Sequence, residues 1–130
     1  MPHLSIEYSP GLEARADMRA LCEAAHDAMV QAGIFPLAGI RVRAHKADFA
    51  IVADGLAEND FCAMTLSVGA GRSTEALKAA GDAIFAAARE ALAEPLSTPH
   101  FALSLEIRQI DPELSWKATP IHSRLSKERA

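Results

Sequence analysis

The sequence has no C-x-x-C pair, no H-E-x-x-H, no G-x-S-x-G elbow, no run of basic residues and no stretch of about 18 apolar residues. Each absence removes a class of function. Cys22 and Cys62 are the only cysteines and lie in apolar stretches, which predicts free buried thiols and a reducing, cytoplasmic setting rather than a disulfide framework. The five histidines, His3, His26, His45, His100 and His122, form no close pair at metal-ligand spacing, so no metal is expected. With 13 Lys and Arg against 17 Asp and Glu, the formal charge is -4 and the cations are scattered, which argues against nucleic acid as a partner. No segment reads as a membrane span, and the start, Met-Pro-His-Leu-Ser-Ile-Glu, has neither the basic region nor the apolar region of an export signal. The turn Gly69-Ala-Gly-Arg-Ser73 lacks the third glycine of a dinucleotide fingerprint and the lysine of a nucleotide phosphate loop. What is left for chemistry is acid-base work on a small molecule.

The 130 residues show no break in composition, half of them are hydrophobic and 23% are charged, as one folded domain over 1–130 requires. Residues 3 to 8 alternate Leu4, Ile6 and Tyr8 against His3, Ser5 and Glu7, the pattern of a half-buried strand. Ser9-Pro10-Gly11 breaks it, and Met18, Leu21, Cys22, Ala25 and Met29 then recur at helical spacing up to about Gly33. From Ile40 the period returns to two, and residues 49 to 53 are expected either to extend the sheet or to form a short extra strand before the turn at Asp54-Gly55. Phe61 to Val68 reads as a further strand. A helix capped by Ser73 or Thr74 carries Leu77, Gly81, Ile84, Phe85, Ala88 and Leu92 on one face, and residues 101 to 107 alternate as a last strand.

Strand, helix, strand therefore occurs twice, in halves at about 1–60 and 61–110. The expected fold is α+β, a two-layer α/β sandwich in which two β-α-β units share one mixed sheet. Right-handed crossovers place both helices on one face. The opposite face, expected to be partly apolar, then needs a partner subunit as cover. The tail, 111–130, carries Leu114, Trp116, Ile121 and Leu125 between polar residues, too few to fold alone, and is expected to pack on a neighbouring subunit.

Pro2 follows Met1 directly, so loss of that methionine leaves a secondary amine as the chain terminus. Burial and nearby cations lower the pKa of an amine from the usual value of about 8, which makes a neutral base possible at pH 7. Proline after methionine is also common where nothing is catalysed, so companions must decide. Arg41 and Arg43 alternate onto one strand face, where guanidinium forks suit carboxylates, although a solvated face would look the same; His45 continues that face. Arg72 lies in the turn that opens the second helix, where backbone N–H groups, the positive helix end and its guanidinium have the makings of an anion site.

Several segments resemble the 5-carboxymethyl-2-hydroxymuconate isomerases of the tautomerase superfamily. They are Gly33-Ile-Phe-Pro-Leu-Ala-Gly-Ile-Arg41 with Arg43, His45 and Ala53-Asp-Gly55, then Met64-Thr-Leu66 and Gly69-Ala-Gly-Arg-Ser73. Ala80-Gly81, Phe85, Ala102-Leu-Ser104, Glu106-Ile107, Trp116-Lys117 and His122 continue the likeness over nearly the whole chain. The resemblance implies a homotrimer whose sheets enclose a central barrel, with an active site at each amino-terminal proline. It implies Pro2, Arg41 and Arg72 as catalytic residues, Arg41 and Arg72 also binding substrate, with Arg43 and His45 as secondary binding residues. The implied substrate is a polycarboxylate dienol met in the breakdown of an aromatic acid, homoprotocatechuate, and no cofactor is implied. A tautomerase of a different keto-enol acid, or a non-catalytic trimer that binds anions, are the alternatives that the residues leave open.

Overall fold

The computed structural model describes residues 1–129, with side chains up to Lys127; Ala130, the end of the expected tail, lies outside the described residues. The chain runs β1 (His3–Tyr8), α1 (Met18–Gln31), β2 (Arg41–Lys46), β3 (Asp60–Gly69), α2 (Thr74–Ala91), the single turn α3 (Ala93–Leu96), β4 (Phe101–Ile110) and α4 (Pro120–Arg129). The four strands form one mixed sheet in the order β2-β1-β3-β4. β1 and β2 are parallel, β3 and β4 are parallel, and the two pairs meet antiparallel at β1 and β3. The fold is the expected α+β sandwich of two β-α-β units.

Alternation along the strands decides which side the helices cover. Leu4 and Ile6 of β1, together with Cys62, Met64, Leu66 and Val68 of β3, are buried, and β4 sets Leu103, Leu105 and Ile107 beside them. α1 lays Leu21, Ala25 and Met29 on this surface and α2 lays Leu77, Ala80, Ile84 and Ala88. Full burial of each large side chain contributes about 1.5 to 3 kcal/mol, so this layer holds the domain together. Both helices begin on a side-chain cap. Asp17 accepts from the Ala20 amide at 3.0 Å and Ser73 from the Ala76 amide at 3.1 Å, each satisfying an amide that the helix leaves free.

The end of the sheet remote from Pro2 is clamped by a polar network. Asp60, 5% exposed, accepts from the Ser9 hydroxyl at 2.6 Å and the Arg15 guanidinium at 2.9 Å, and Arg15 also donates to Thr98 Oγ1 at 2.9 Å. These bonds tie the 3-10 turn after β1 to the starts of β3 and β4.

Several expectations are corrected. Residues 49 to 53 form no strand: Phe49 and Ile51 are 94% and 93% exposed, and Ala53 takes a positive φ of 53°. Asn59 bends this loop back by donating to the Val52 carbonyl at 3.0 Å and Asp54 Oδ1 at 2.6 Å, so its alternating apolar residues meet no sheet. β2 starts at Arg41 because the Ile40 amide closes a 3-10 turn onto the Leu37 carbonyl. β4 runs three residues further than 107, to Ile110, following β3 to Gly69. The sheet face away from the helices is mixed, partly apolar as expected: β1 and β2 place His3, Ser5, Glu7, Arg41, Arg43 and His45 there and β4 adds Ser104, Glu106 and Arg108, while Phe61 and Ala63 of β3 and Ala102 and Ile110 of β4 supply the apolar part. The tail, expected to pack on a neighbouring subunit, contains α4, which rests on the Leu37–Gly39 turn of its own chain.

Candidate active site

Parallel pairing of β1 with β2 brings the amino terminus to the start of the arginine strand. The Arg41 amide donates to the Pro2 carbonyl at 3.0 Å, the first rung of the ladder that pairs His3 with Arg41. The Pro2 ring is fully buried. Gly39 makes room for it, since a β-carbon there would sit 3.1 Å from Pro2 Cδ and 3.4 Å from Met1 Cα. While Met1 is attached, the Pro2 nitrogen is an amide without basicity.

The two arginines reach this terminus from separate elements, Arg41 from the start of β2 and Arg72 from the turn before α2. Arg41 donates through one terminal nitrogen to the carbonyls of Ala38 at 2.7 Å and Ile40 at 3.2 Å, while its other terminal nitrogen lies 4.0 Å from the Met1 sulfur. Arg72 donates from Nε to the Ile34 carbonyl at 3.0 Å, and its guanidinium lies 5.1 Å from the centre of the Phe35 ring. Each fork is held in place and keeps further N–H groups for an anion.

The electrostatic consequence is visible at the terminal amine. Its pKa is lowered from the ordinary 8.0, first by burial, then by the positive charge of Lys117, then by Arg72 and Arg41. All of these disfavour the protonated form. A field that acts on the Met1 amine also acts on the Pro2 nitrogen one residue away.

Pro2, Arg41 and Arg72 are thus brought together, and the secondary candidates are not. Arg43 turns to His3, its guanidinium 3.1 Å from Nδ1, and burial together with Arg43 and Arg41 lowers the His3 pKa. His45 stands opposite Glu7, further along the strand and exposed. Lys117 escaped the reading of candidate residues because it sits at the other end of the chain. The only trace of it was the Trp116-Lys117 pair in the tail. Among the described residues, no three His, Cys, Asp or Glu side chains cluster as a metal site needs, and no helix is long and apolar enough to cross a membrane.

A concavity of about 800 Å³ runs between α1 and the edge strand β2 and is lined by Cys22, His26, Ile40, Arg41 and Arg43 among others. It does not include Pro2. The convergence of cations, not the size of the hollow, marks the site, because carboxylate recognition and a depressed amine pKa both require it.

Comparison with known proteins agrees with this geometry. The model of the 5-carboxymethyl-2-hydroxymuconate isomerase family matches residues 2–125, its match opening on Pro2. The 5-carboxymethyl-2-hydroxymuconate Delta-isomerase of Escherichia coli is 37% identical over 123 residues, 95% of this chain and 98% of that one. The crystal structure of a 5-carboxymethyl-2-hydroxymuconate isomerase from Deinococcus radiodurans R1 superposes with a TM-score of 0.89 at 32% identity, over 95% of this chain and 93% of that one. A fused 4-OT symmetric trimer, 20% identical with a TM-score of 0.64 over 89% of this chain and 93% of that one, shares the fold.

Proposed function

Because the chain belongs to the 5-carboxymethyl-2-hydroxymuconate isomerase family, we propose that Pro2, freed by loss of Met1, is the base with which this isomerase converts the dienol 5-carboxymethyl-2-hydroxymuconate to its unsaturated ketone. The observation that carries the assignment is the meeting of Arg41, Arg72 and a buried amino terminus. In this mechanism the neutral amine of Pro2 takes the enol hydroxyl proton. The oxygen electrons form the ketone, the conjugated double bonds shift, and the amine returns a proton to a carbon further along the chain. One O–H bond is exchanged for one C–H bond and nothing is oxidised, so the step needs no cofactor.

Arg41 and Arg72 bind substrate carboxylates and stabilise the charge that develops on the enolate oxygen. Proton transfer by a positioned base is typically worth about two to four powers of ten, and loss of one charge-stabilising donor costs about two to three. Arg43, one layer further along the strand beside His3, serves as an outer cation that attracts the anionic substrate to a chain of net negative charge, and His45 beyond it offers a hydrogen-bonding group.

The chain works as a homotrimer in the cytoplasm. Support for self-association comes from apolar side chains left in water on one copy: Phe49 and Ile51 in the loop after β2, and Leu114 and Trp116 in the tail, 69% and 85% exposed. Tail segments carrying such residues suit packing on a neighbouring subunit.

The test follows the ultraviolet absorbance of 5-carboxymethyl-2-hydroxymuconate above its uncatalysed ketonisation, with intact mass confirming loss of Met1. Fast turnover by the wild type, lost by about a hundredfold or more in both Pro2→Ala and Arg41→Ala, is the expected result. Turnover by a preparation that retains Met1 would remove Pro2 as the base. Absence of wild-type turnover would point to a different dienol or to anion binding without catalysis.

A further inference from the structure

Strand register brings Arg72 to the amino terminus. The antiparallel pairing of β1 with β3 sets His3 opposite Ser67, so the next residues of β3, Val68 and Gly69, come level with Pro2 and Met1. Gly69 ends the strand, and Arg72 follows in the turn before α2, its Nη1 reaching back to the Gly69 carbonyl at 3.5 Å. A long arginine side chain in a turn ordinarily samples many rotamers in water. This one is half-buried and is met by a second segment, Ile34-Phe35, which follows the end of α1.

Two contacts of different kinds come from that dipeptide. The Ile34 carbonyl accepts from Arg72 Nε at 3.0 Å, and the Phe35 ring lies under the guanidinium, 5.1 Å from ring centre to Cζ. The negative face of the ring attracts the cation, and burial strengthens the attraction: Phe35 is 7% exposed and belongs to the core. Phe35 is held in its turn. Gly33, with a φ of 75°, reverses the chain after α1, and Pro36 confines the residue before it to extended backbone. With Nε–H and one Nη1–H engaged and one face closed, the Nη2–H groups and the other Nη1–H remain on the outer edge. That edge is the one that takes a carboxylate or an enolate oxygen.

We propose that Phe35 is a positioning residue: its ring fixes the guanidinium plane of Arg72 and so aims the free N–H edge at the substrate, a role that rests on the assignment of Arg72 to substrate above. The Nε hydrogen bond alone leaves the plane free to rotate about the line from Nε to the carbonyl oxygen, and the ring removes that freedom. Because the Ala38 and Ile40 carbonyls brace Arg41, the segment from Ile34 to Ile40 holds both guanidinium groups and sets their spacing. Donors fixed in this way need no rearrangement when charge develops on the enolate oxygen.

The test is a double-mutant cycle, because Phe35 also fills the core and lost packing alone would lower activity whatever Arg72 does. Phe35→Met keeps an apolar side chain of similar size without a ring. kcat/KM for the ketonisation of 5-carboxymethyl-2-hydroxymuconate is measured in wild type, Phe35→Met, Arg72→Gln and the double variant, with urea unfolding confirming that each is folded. In the wild-type background Phe35→Met should lower kcat/KM about tenfold, the size expected when a donor worth about a hundredfold is present but badly aimed. In the Arg72→Gln background the same substitution should change it by less than about twofold. Equal losses in the two backgrounds, or no loss in either, would overturn the proposal and leave Phe35 a core residue only.

A second series keeps the test open where Phe35→Met does not fold. Replacement of Phe35 by 4-fluorophenylalanine, placed by nonsense suppression, keeps the shape and most of the negative face, and kcat/KM should stay within about twofold of wild type. Pentafluorophenylalanine keeps the shape but reverses the charge of the face, and should lower kcat/KM about threefold or more when Arg72 is present. Equal activity with the two rings would overturn the proposal. A wild type without turnover would fail the isomerase reading, and Arg72→Gln with full activity would fail the assignment of Arg72; either takes the role of Phe35 with it. A failure of Phe35 alone looks different: Arg72→Gln is then costly and the ring substitutions are not coupled to it.

Discussion

Gly39→Ala should lower activity while leaving the domain folded, and the expected size of each effect follows from one contact. Gly39 lies in the turn Leu37–Gly39 and does not have a positive φ, so its backbone conformation suits alanine. Rigidifying the unfolded chain at such a site is worth about 0.4 to 1 kcal/mol in favour of the variant. Against this, the added β-carbon sits 3.1 Å from Pro2 Cδ, closer than carbon atoms rest, and the ring must yield by a few tenths of an ångström. Overpacking of this kind costs about 1 to 3 kcal/mol, so the net loss of stability should be below about 3 kcal/mol. Displacement matters more for chemistry than for folding. A misplacement of about 1 Å costs roughly a hundredfold, so a shift of a few tenths should lower kcat by roughly twofold to tenfold. Gly39→Val, bulkier at the same spot, should lower it further. Stopped-flow ketonisation gives kcat and KM, and urea unfolding at fixed protein concentration gives stability. Unchanged kcat in both variants would show that the Pro2 ring is not held by this turn, and the positioning argument would be wrong.

Activity should rise with pH through the pKa of the Pro2 amine and then level off, and burial and the cations at the terminus, which favour the neutral form that acts as base, should shift that rise to lower pH. Arg72→Gln removes one of those cations, so the acid limb of the kcat/KM profile should move to higher pH; a limb that stays put would mean Arg72 does not act on the base. Arg15→Met leaves the buried Asp60 carboxylate without its ion pair, and urea unfolding should show a loss of about 3 kcal/mol with kcat nearly unchanged, since this clamp sits at the far end of the sheet from Pro2. A loss below about 1 kcal/mol would show that the Ser9 hydroxyl alone suffices. The Cys62 thiol, 1% exposed and pushed up to about 12 chiefly by burial, should resist thiol reagents at pH 8 in the native protein; rapid labelling of Cys62 would show that the β3 layer opens readily.

The elements legible in the sequence were those whose pattern is settled within a few residues. β1, β3 and β4 alternate, α1 and α2 carry apolar stripes, and Ser73 stands where a cap was expected; in each case the side-chain period and the backbone agree. Residues 49–53 misled because Phe49, Ile51 and Ala53 alternate like a strand, yet alternation requires a neighbouring strand to matter, and the Asn59 bonds hold this loop off the sheet. Pro2 and Arg41 were each visible as candidates, but their contact is set by the register of a parallel pair. Parallel pairing depends on how the whole α1 crossover closes, and no short window of sequence contains that. Lys117 depends on a still longer closure, the return of the tail across the Leu37–Gly39 turn.

The mixed sheet face changes what the proposed trimer has to accomplish. Had that face been wholly apolar, burying it would itself drive assembly. Instead it presents Arg41, Arg43 and Arg108 against Glu7 and Glu106, with Phe61 and Ile110 towards its two ends and the short side chains of Ser5, Ala63, Thr65, Ser67, Ala102 and Ser104 between them. Opposite charges on neighbouring strands can pair across such a surface, and Arg108 already donates to Glu106 at 2.6 Å. Short residues leave room for water to satisfy the remainder. Isolated ion pairs at a wet surface contribute little, so the free energy of association must come mainly from apolar contacts. Phe61 and Ile110 offer some on this face, and Phe49, Ile51, Leu114 and Trp116 supply others at the periphery, in the loop after β2 and in the tail. The tail is therefore one of the segments that would hold the subunits together. Replacing Trp116 with alanine should in consequence weaken assembly, and sedimentation should show dissociation at lower dilution. Unchanged association would show that the tail does not hold the subunits together.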